Sequence, residues 1–282
     1  GREFFFLAEV QDNVTTLYSD IKSDVELGSL FLAEDLGDFP RNTTMMAVYK
    51  NTLFCAGELN EELRYSAPMN PEVFPIDNVF NLSDNQTSLI TGLVATGDSL
   101  VVFKHRAIYL VKGNPVNGFF AQTLTTDIGC VSNQSIKEVP GVGVVFLSLD
   151  GIYLLEGTYS DKPTTFFKLS QGLRETFNRI NLSYAEKFRS IINHSEREYI
   201  LSVCFDQSDT PNALLKFHYE IGSWSVYTDL LISGLVEVQD HRSYVYFAGP
   251  DDSSFFTPPE IEDRVPPCKG IYLLGGSNTS NI

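Results

Sequence analysis

An all-β fold is predicted by three features of the chain. The first is the hairpin Gly143 to Gly157, in which Val144–Leu147 and Ile152–Leu155 are two apolar runs joined through Asp150-Gly151. Asp-Gly between β-rich runs is a strong short-range hairpin signal, and it predicts a type I′ turn with positive φ at both central residues. The second is a recurrence: LVVFKHRAIYLVKG starts at Leu100 and VVFLSLDGIYLLEG at Val144. A further echo is Lys269-Gly-Ile-Tyr-Leu-Leu-Gly275. The third is composition, with 21 Phe and 13 Tyr in 282 residues, an aromatic-rich mixture that suits pleated sheets. A hairpin unit recurring at roughly 40–50 residues is the period of a propeller blade. The expected architecture is a β-propeller of about six blades, estimated from length and period.

The elements follow in order. Val25 to Leu32 is an apolar run after a polar approach, and 33–44 is a connector containing Pro40. Met45 to Ala56 is a hairpin turning near Lys50-Asn51, and Leu63 to Ser66 is a further strand. Pro68, Pro71 and Pro75 fix an irregular loop after it. Ile90 to Phe103 is a strand pair about Gly97-Asp98. His105–Val111 and Phe119–Thr125 are the next strands, and Ser135–Val139 leads into the opening hairpin. Helical spacing of Leu173, Phe177 and Ile180 predicts a helical insertion over about 170–192. Glu198–Phe205 and Ala213–Tyr219 flank a polar loop, the single Trp224 opens another strand, and Tyr244–Ala248 follows. The expected organisation is a leading strand and connector over 1–40 and a propeller domain over 41–282.

Bulk properties exclude several function classes. A net charge of −16 without a Lys/Arg cluster argues against affinity for the nucleic-acid backbone. No run approaches the roughly 18 apolar residues of a membrane span. The first residues lack the pattern of a signal peptide, and the absence of an initiator Met leads us to expect a longer parent chain. Cys55, Cys130, Cys204 and Cys268 form no CxxC pair, so buried free thiols are expected rather than a zinc ribbon. Eight N-x-S/T sequons begin at Asn13, Asn42, Asn81, Asn85, Asn133, Asn181, Asn193 and Asn278. They suit either a secreted glycoprotein or β-turns, which collect Asn, Ser and Thr for their own reasons.

Tests for chemistry are negative. His105, His194, His218 and His241 fall in no metal-binding spacing, and no nucleophile elbow, P-loop or dinucleotide fingerprint is present. Ser148-Leu-Asp-Gly151 departs from the S-x-D-x-G-x-x-W box of sialidase-like propellers, because Gly follows Asp directly. No cofactor, metal or catalytic residue is therefore assigned. The remaining signal is acidity, concentrated in the proline-rich loop 251–267. Asp251, Asp252, Glu260, Glu262 and Asp263 are the candidate lumen or contact residues. An acidic lining would repel a polyanion and let it slide without sticking.

The run Leu63-Arg-Tyr-Ser-Ala-Pro-Met-Asn-Pro-Glu-Val-Phe-Pro75 resembles a segment of the tail nozzle proteins of short-tailed bacteriophages, also known as tail tubular protein B-like or tail hub proteins. Leu27-Gly28 with Pro40 resembles the approach to their propeller. Ile128–Ser135 followed by Val144–Leu154 resembles their most recognisable blade, and Glu198–Leu201 to Trp224 the blade after the helical insertion. The resemblance covers roughly residues 25 to 250. It implies a non-enzymatic virion protein, a homohexameric ring below the portal and adaptor, and a conduit for DNA ejection. The implied partners are further copies of itself, tail adaptor and tail fibre or needle proteins, and double-stranded DNA in transit. Two other readings compete: a secreted propeller that binds or hydrolyses glycans, and a generic propeller platform for protein partners.

Overall fold

The computed structural model describes residues 39–57, 62–82, 89–139, 141–157, 164–240, 242–248 and 271–274, with isolated positions at 4–5, 14, 17, 19, 21–23, 30–31 and 37. A two-residue ribbon pairs β1 (Phe4–Phe5) with β2 (Leu30–Phe31). Five antiparallel meanders follow. Sheet I is β3 (Thr43–Tyr49), β4 (Thr52–Gly57), β5 (Glu62–Tyr65) and β6 (Val79–Asn81). Sheet II is β7 (Ile90–Ala95), β8 (Leu100–Lys104), β9 (Ile108–Asn114) and β10 (Gly118–Thr125). Sheet III is β11 (Lys137–Val139), β12 (Gly143–Leu147), β13 (Ile152–Glu156) and β14 (Thr165–Lys168). Sheet IV is β15 (Arg189–Asn193), β16 (Glu198–Val203), β17 (Ala213–His218) and β18 (Ser223–Tyr227). Sheet V is β19 (Gly234–Asp240), β20 (Arg242–Ala248) and β21 (Ile271–Leu274). The three Ile-Tyr-Leu repeats thus occupy one structural position, the third strand of sheets II, III and V.

The sheets pack face to face in chain order, because the strands at their centres are apolar on both faces. On β8, Leu100 and Val102 point into the core shared with sheet I, beside Phe54 and Tyr49. Val101 and Phe103 point the other way, into the core shared with sheet III, beside Phe146 and Tyr153. The opposite face of sheet III, through Val145, Leu147 and Leu154, meets Tyr199, Leu201 and Leu215 of sheet IV. Ile200 and Leu214 then face Ile232 and Leu235 at the approach to sheet V. Period-two alternation sends neighbouring side chains to opposite faces, so a continuous apolar run fills two cores at once. First strands lie next to one another, β3 by β7, β11 by β15 and β15 by β19. The fourth strands β10, β14 and β18 are the more exposed edges.

Two sequence expectations are corrected in detail. The connection of β12 to β13 is four residues, Ser148–Gly151, closed by Ser148 N–H donating to the Gly151 carbonyl at 2.8 Å. Neither Asp150 nor Gly151 takes positive φ. Glycine is required there by crowding, since a Cβ would lie 2.6 Å from Ser170 Oγ and from Lys168 Cε. The two-residue turn with positive φ at both positions is instead Lys50 (48°) and Asn51 (59°), between the paired Tyr49 and Thr52. The helical stretch 170–192 holds one turn of helix, α1 (Arg174–Phe177), between 3-10 segments Leu169–Leu173 and Leu182–Lys187. The helix α1 ends at Asn178, and Asn181 opens the second 3-10 segment by accepting from Ser183 N–H. Among the described residues no helix is long and apolar enough to cross a membrane.

Gly129 sits where a chain segment crosses the end of sheet II. A Cβ there would be 2.1 Å from the Lys104 carbonyl oxygen and 2.5 Å from Arg106 N, both backbone atoms. Gly129→Ala should therefore cost about 2 kcal/mol or more. Urea denaturation followed by Trp224 fluorescence measures this, because the Trp224 ring lies tilted 4.8 Å from Phe217 and donates to the Leu169 carbonyl.

Candidate functional site

The segment 128–136 is the best-built polar site of the molecule. It connects sheets II and III, and its groups reach three sheets. Cys130 N–H donates to the Lys104 carbonyl at 2.9 Å, and the Cys130 carbonyl accepts from Thr91 Oγ1 at 2.7 Å, both in sheet II. Asn133 Oδ1 accepts from Leu93 N–H at 3.1 Å, covering the free edge of β7. Ser135 Oγ accepts from Leu147 N–H of sheet III at 3.1 Å and donates to the Ser132 carbonyl at 2.7 Å. From sheet IV, Tyr199 donates its hydroxyl to the Ser135 carbonyl at 2.7 Å, and Ser190 donates to the Gln134 carbonyl at 2.6 Å. Ser135, Cys130 and Tyr199 are fully buried. Buried polar groups carry a desolvation cost unless paired, so this turn fits one arrangement of the three sheets.

Four smaller constellations are present. Asp150 Oδ2 accepts from Tyr153 Oη and Lys168 Nζ, both at 2.8 Å. Burial works to raise the Asp150 carboxyl, but the hydrogen bonds from Lys168 and Tyr153 prevail and hold it below its usual range. Tyr153 is pushed up to about 12, by burial first and then by Asp150. Within sheet IV, Lys216 Nζ pairs with Glu198 Oε1 at 2.9 Å and lies over the Tyr227 ring. His194 Nδ1 meets Glu237 at 3.2 Å, tying β19 to the first turn of sheet IV. Arg179 forms a two-point ion pair with Asp206 at 2.9 and 3.1 Å across the polar loop of sheet IV. These are lateral struts, not a convergent set around a cavity.

Chemically the site is quiet. Cys55, Cys130 and Cys204 are free and buried, as the sequence led us to expect, and burial pushes each thiol to about 11. Among the described residues no group of three His, Cys, Asp or Glu could hold a metal ion. The first strands are nearly balanced in charge, with Lys137 and Arg189 against Glu138, Glu237 and Asp240. Burial lowers the pKa of Lys137.

The candidate residues Asp251, Asp252, Glu260, Glu262 and Asp263 lie outside the described residues, in the connection from β20 to β21. Cys268 and His241 also lie outside them. Sequence reasoning marked 128–135 only as part of a resemblance and Asn133 only as a sequon. The long-range partners that give this turn its role, 39 to 64 residues distant, have no local signature. Of the described sequon asparagines, Asn42 and Asn81 are exposed. Asn133, Asn181 and Asn193 spend their side-chain oxygens on backbone N–H groups, and Asn193 is 5% exposed.

No protein-family model matches the chain, and no curated protein matches it. Solved structures do. A 6-phosphogluconolactonase-like protein of Bacteroides uniformis aligns at 12% identity with a TM-score of 0.50, over 73% of this chain and 63% of that one. Hsv2 of Kluyveromyces lactis, a β-propeller protein, aligns at 14% identity with a TM-score of 0.41, over 87% of this chain and 74% of that one. The chain thus spans less than two thirds of the length of the lactonase-like protein. At 12% identity the likeness to the lactonase-like protein concerns the fold alone, a mostly β chain of antiparallel sheets with few helical turns.

Two outcomes follow. Ser135→Ala removes the acceptor for Leu147 N–H and should cost about 2 kcal/mol in urea denaturation, since it leaves a buried donor unpaired. The three buried thiols and Tyr153 keep their protons in the folded chain at pH values where the unfolded chain has lost them. Because the folded state then binds more protons, stability falls as pH rises, over a window from about 9 to about 12. The urea midpoint should drop between pH 7.5 and 10.5, and the described thiols should react with a thiol reagent only after unfolding.

Proposed function

We propose that the chain is a non-catalytic structural virion protein, the propeller portion of a tail nozzle through which DNA leaves a short-tailed phage. The observation that carries this reading is where the nozzle-like residues fall. Ile128–Ser135 is the buried turn that joins three sheets. Val144–Leu154 supplies the doubly buried strands beside it. Leu63–Pro75 is β5 with its following connection, in which Ser66 accepts from Leu53 N–H and Phe74 is fully buried. The likeness therefore resides in the parts that make a rigid scaffold. On this reading residues 41–282 form a propeller of about six blades, the chain assembles as a hexameric ring with adaptor and fibre or needle proteins, and DNA passes without specific contact.

The secreted glycan-binding reading draws no support from the described thiols, which are free, or from Asn133, Asn181 and Asn193, whose side chains are already engaged. The test is electron microscopy of the full-length protein with adaptor rings. Six-fold rings or tubes are expected. A monodisperse single propeller under every condition would overturn the nozzle assignment in favour of a generic binding platform.

A further inference from the structure

Four strongly exposed apolar side chains of this molecule share one kind of position. From residue 39 onward, the described large hydrophobics more than 60% exposed are six: Met46 and Val48 on the first strand of sheet I, and Met69, Ile76, Val116 and Ile221. The last four all lie in connections between third and fourth strands, those of sheets I, II and IV. The corresponding connection of sheet III, 158–163, lies outside the described residues.

These connections share one end of the stack. Tyr49, before the first turn of sheet I, donates its hydroxyl to the Asp98 carbonyl in the first turn of sheet II at 2.8 Å. Thr91 and Leu93 of β7 and Ser190 of β15 are bonded to the segment that enters β11, so these three strands begin at the same end. In an antiparallel meander the third connection returns to the end of the first. Met69, Ile76, Val116 and Ile221 are therefore knobs on a common rim, outside the first turns.

The backbone beneath three of the knobs is held in place. Met69 N–H donates to the Asn51 carbonyl at 2.8 Å, Val116 N–H to Asn114 Oδ1 at 2.9 Å, and Ile221 N–H to His218 Nδ1 at 3.3 Å. A rigid exposed apolar side chain loses little entropy on docking, which is the property of an interface anchor. The surrounding field is acidic. In the described first and third connections Glu72, Asp77, Asp98, Glu196 and Glu220 outnumber Lys50 and Arg197. Arg197 is itself paired with Glu220. Two such rims facing each other would repel, and an anionic bilayer surface would be repelled likewise.

We infer that this rim is a protein-docking surface, and that its partner presents apolar sockets within a basic surface. The inference does not depend on the nozzle assignment. Its probe is a synthetic amphipathic helix of Leu and Lys, titrated against the full chain and against a Met69→Ser, Val116→Ser, Ile221→Ser variant. All three positions are exposed, so thermal unfolding of the variant should match that of the parent. Saturable binding that weakens with salt and falls at least tenfold in the variant is the expected result. Binding equal in the two proteins would mean that charge alone attracts the peptide and would overturn the inference, as would no binding. Rim-dependent binding to phosphatidylcholine or phosphatidylserine vesicles would overturn it in favour of a lipid surface.

Discussion

The arrangement of sheets II, III and IV depends on how the turn at 128–136 satisfies its polar groups. Apolar faces press sheets together without fixing their angle or register, because burial is non-directional. Hydrogen bonds supply the direction. Asn133 takes an edge N–H from sheet II, Ser135 takes one from sheet III, and two carbonyls of the same turn receive hydroxyls from sheet IV. A sheet displaced by one residue would leave several of these groups buried and unpaired, at a cost of a few kcal/mol each. The turn therefore converts a pile of apolar sheets into one defined arrangement.

The same burial explains why the polar side chains inside are inert. Cys130 and Tyr199 sit where a charge would be strongly penalised, so both remain neutral donors, Cys130 toward the Ser132 carbonyl and Tyr199 toward Ser135. Their role is geometric. The exposed ion pairs, Asp150 with Lys168 and Arg179 with Asp206, contribute modestly.

Much of this architecture was legible in the chain because it is local. Runs such as Val144–Leu147 and Ile152–Leu155 specify strands buried on both faces, and the Ile-Tyr-Leu repeats identify third strands by alignment alone. Lys50-Asn51 is a turn that its neighbours make evident. Gly151 was read as a conformational glycine and is a steric one, because the side chains that crowd it, Lys168 and Ser170, arrive from beyond the next strand. The helical spacing at 173–180 was real but too short to propagate against Asn178 and Asn181. The role of Asn133 was not legible, since its partner is 40 residues away. The acidic loop 251–267 stands out by composition alone, and its residues lie outside those described.

Sequential stacking also has a consequence for how such a chain is made. Each meander pairs only with strands adjacent in sequence, so it can close as soon as its own residues have emerged from the ribosome. Its second face stays bare until the next meander arrives. Sheet II, with Val101 and Phe103 uncovered, would wait for Phe146 and Tyr153. Growth of the nascent protein is thus a succession of half-finished faces, each sealed by its successor, and the moments before sealing are when aggregation threatens it most.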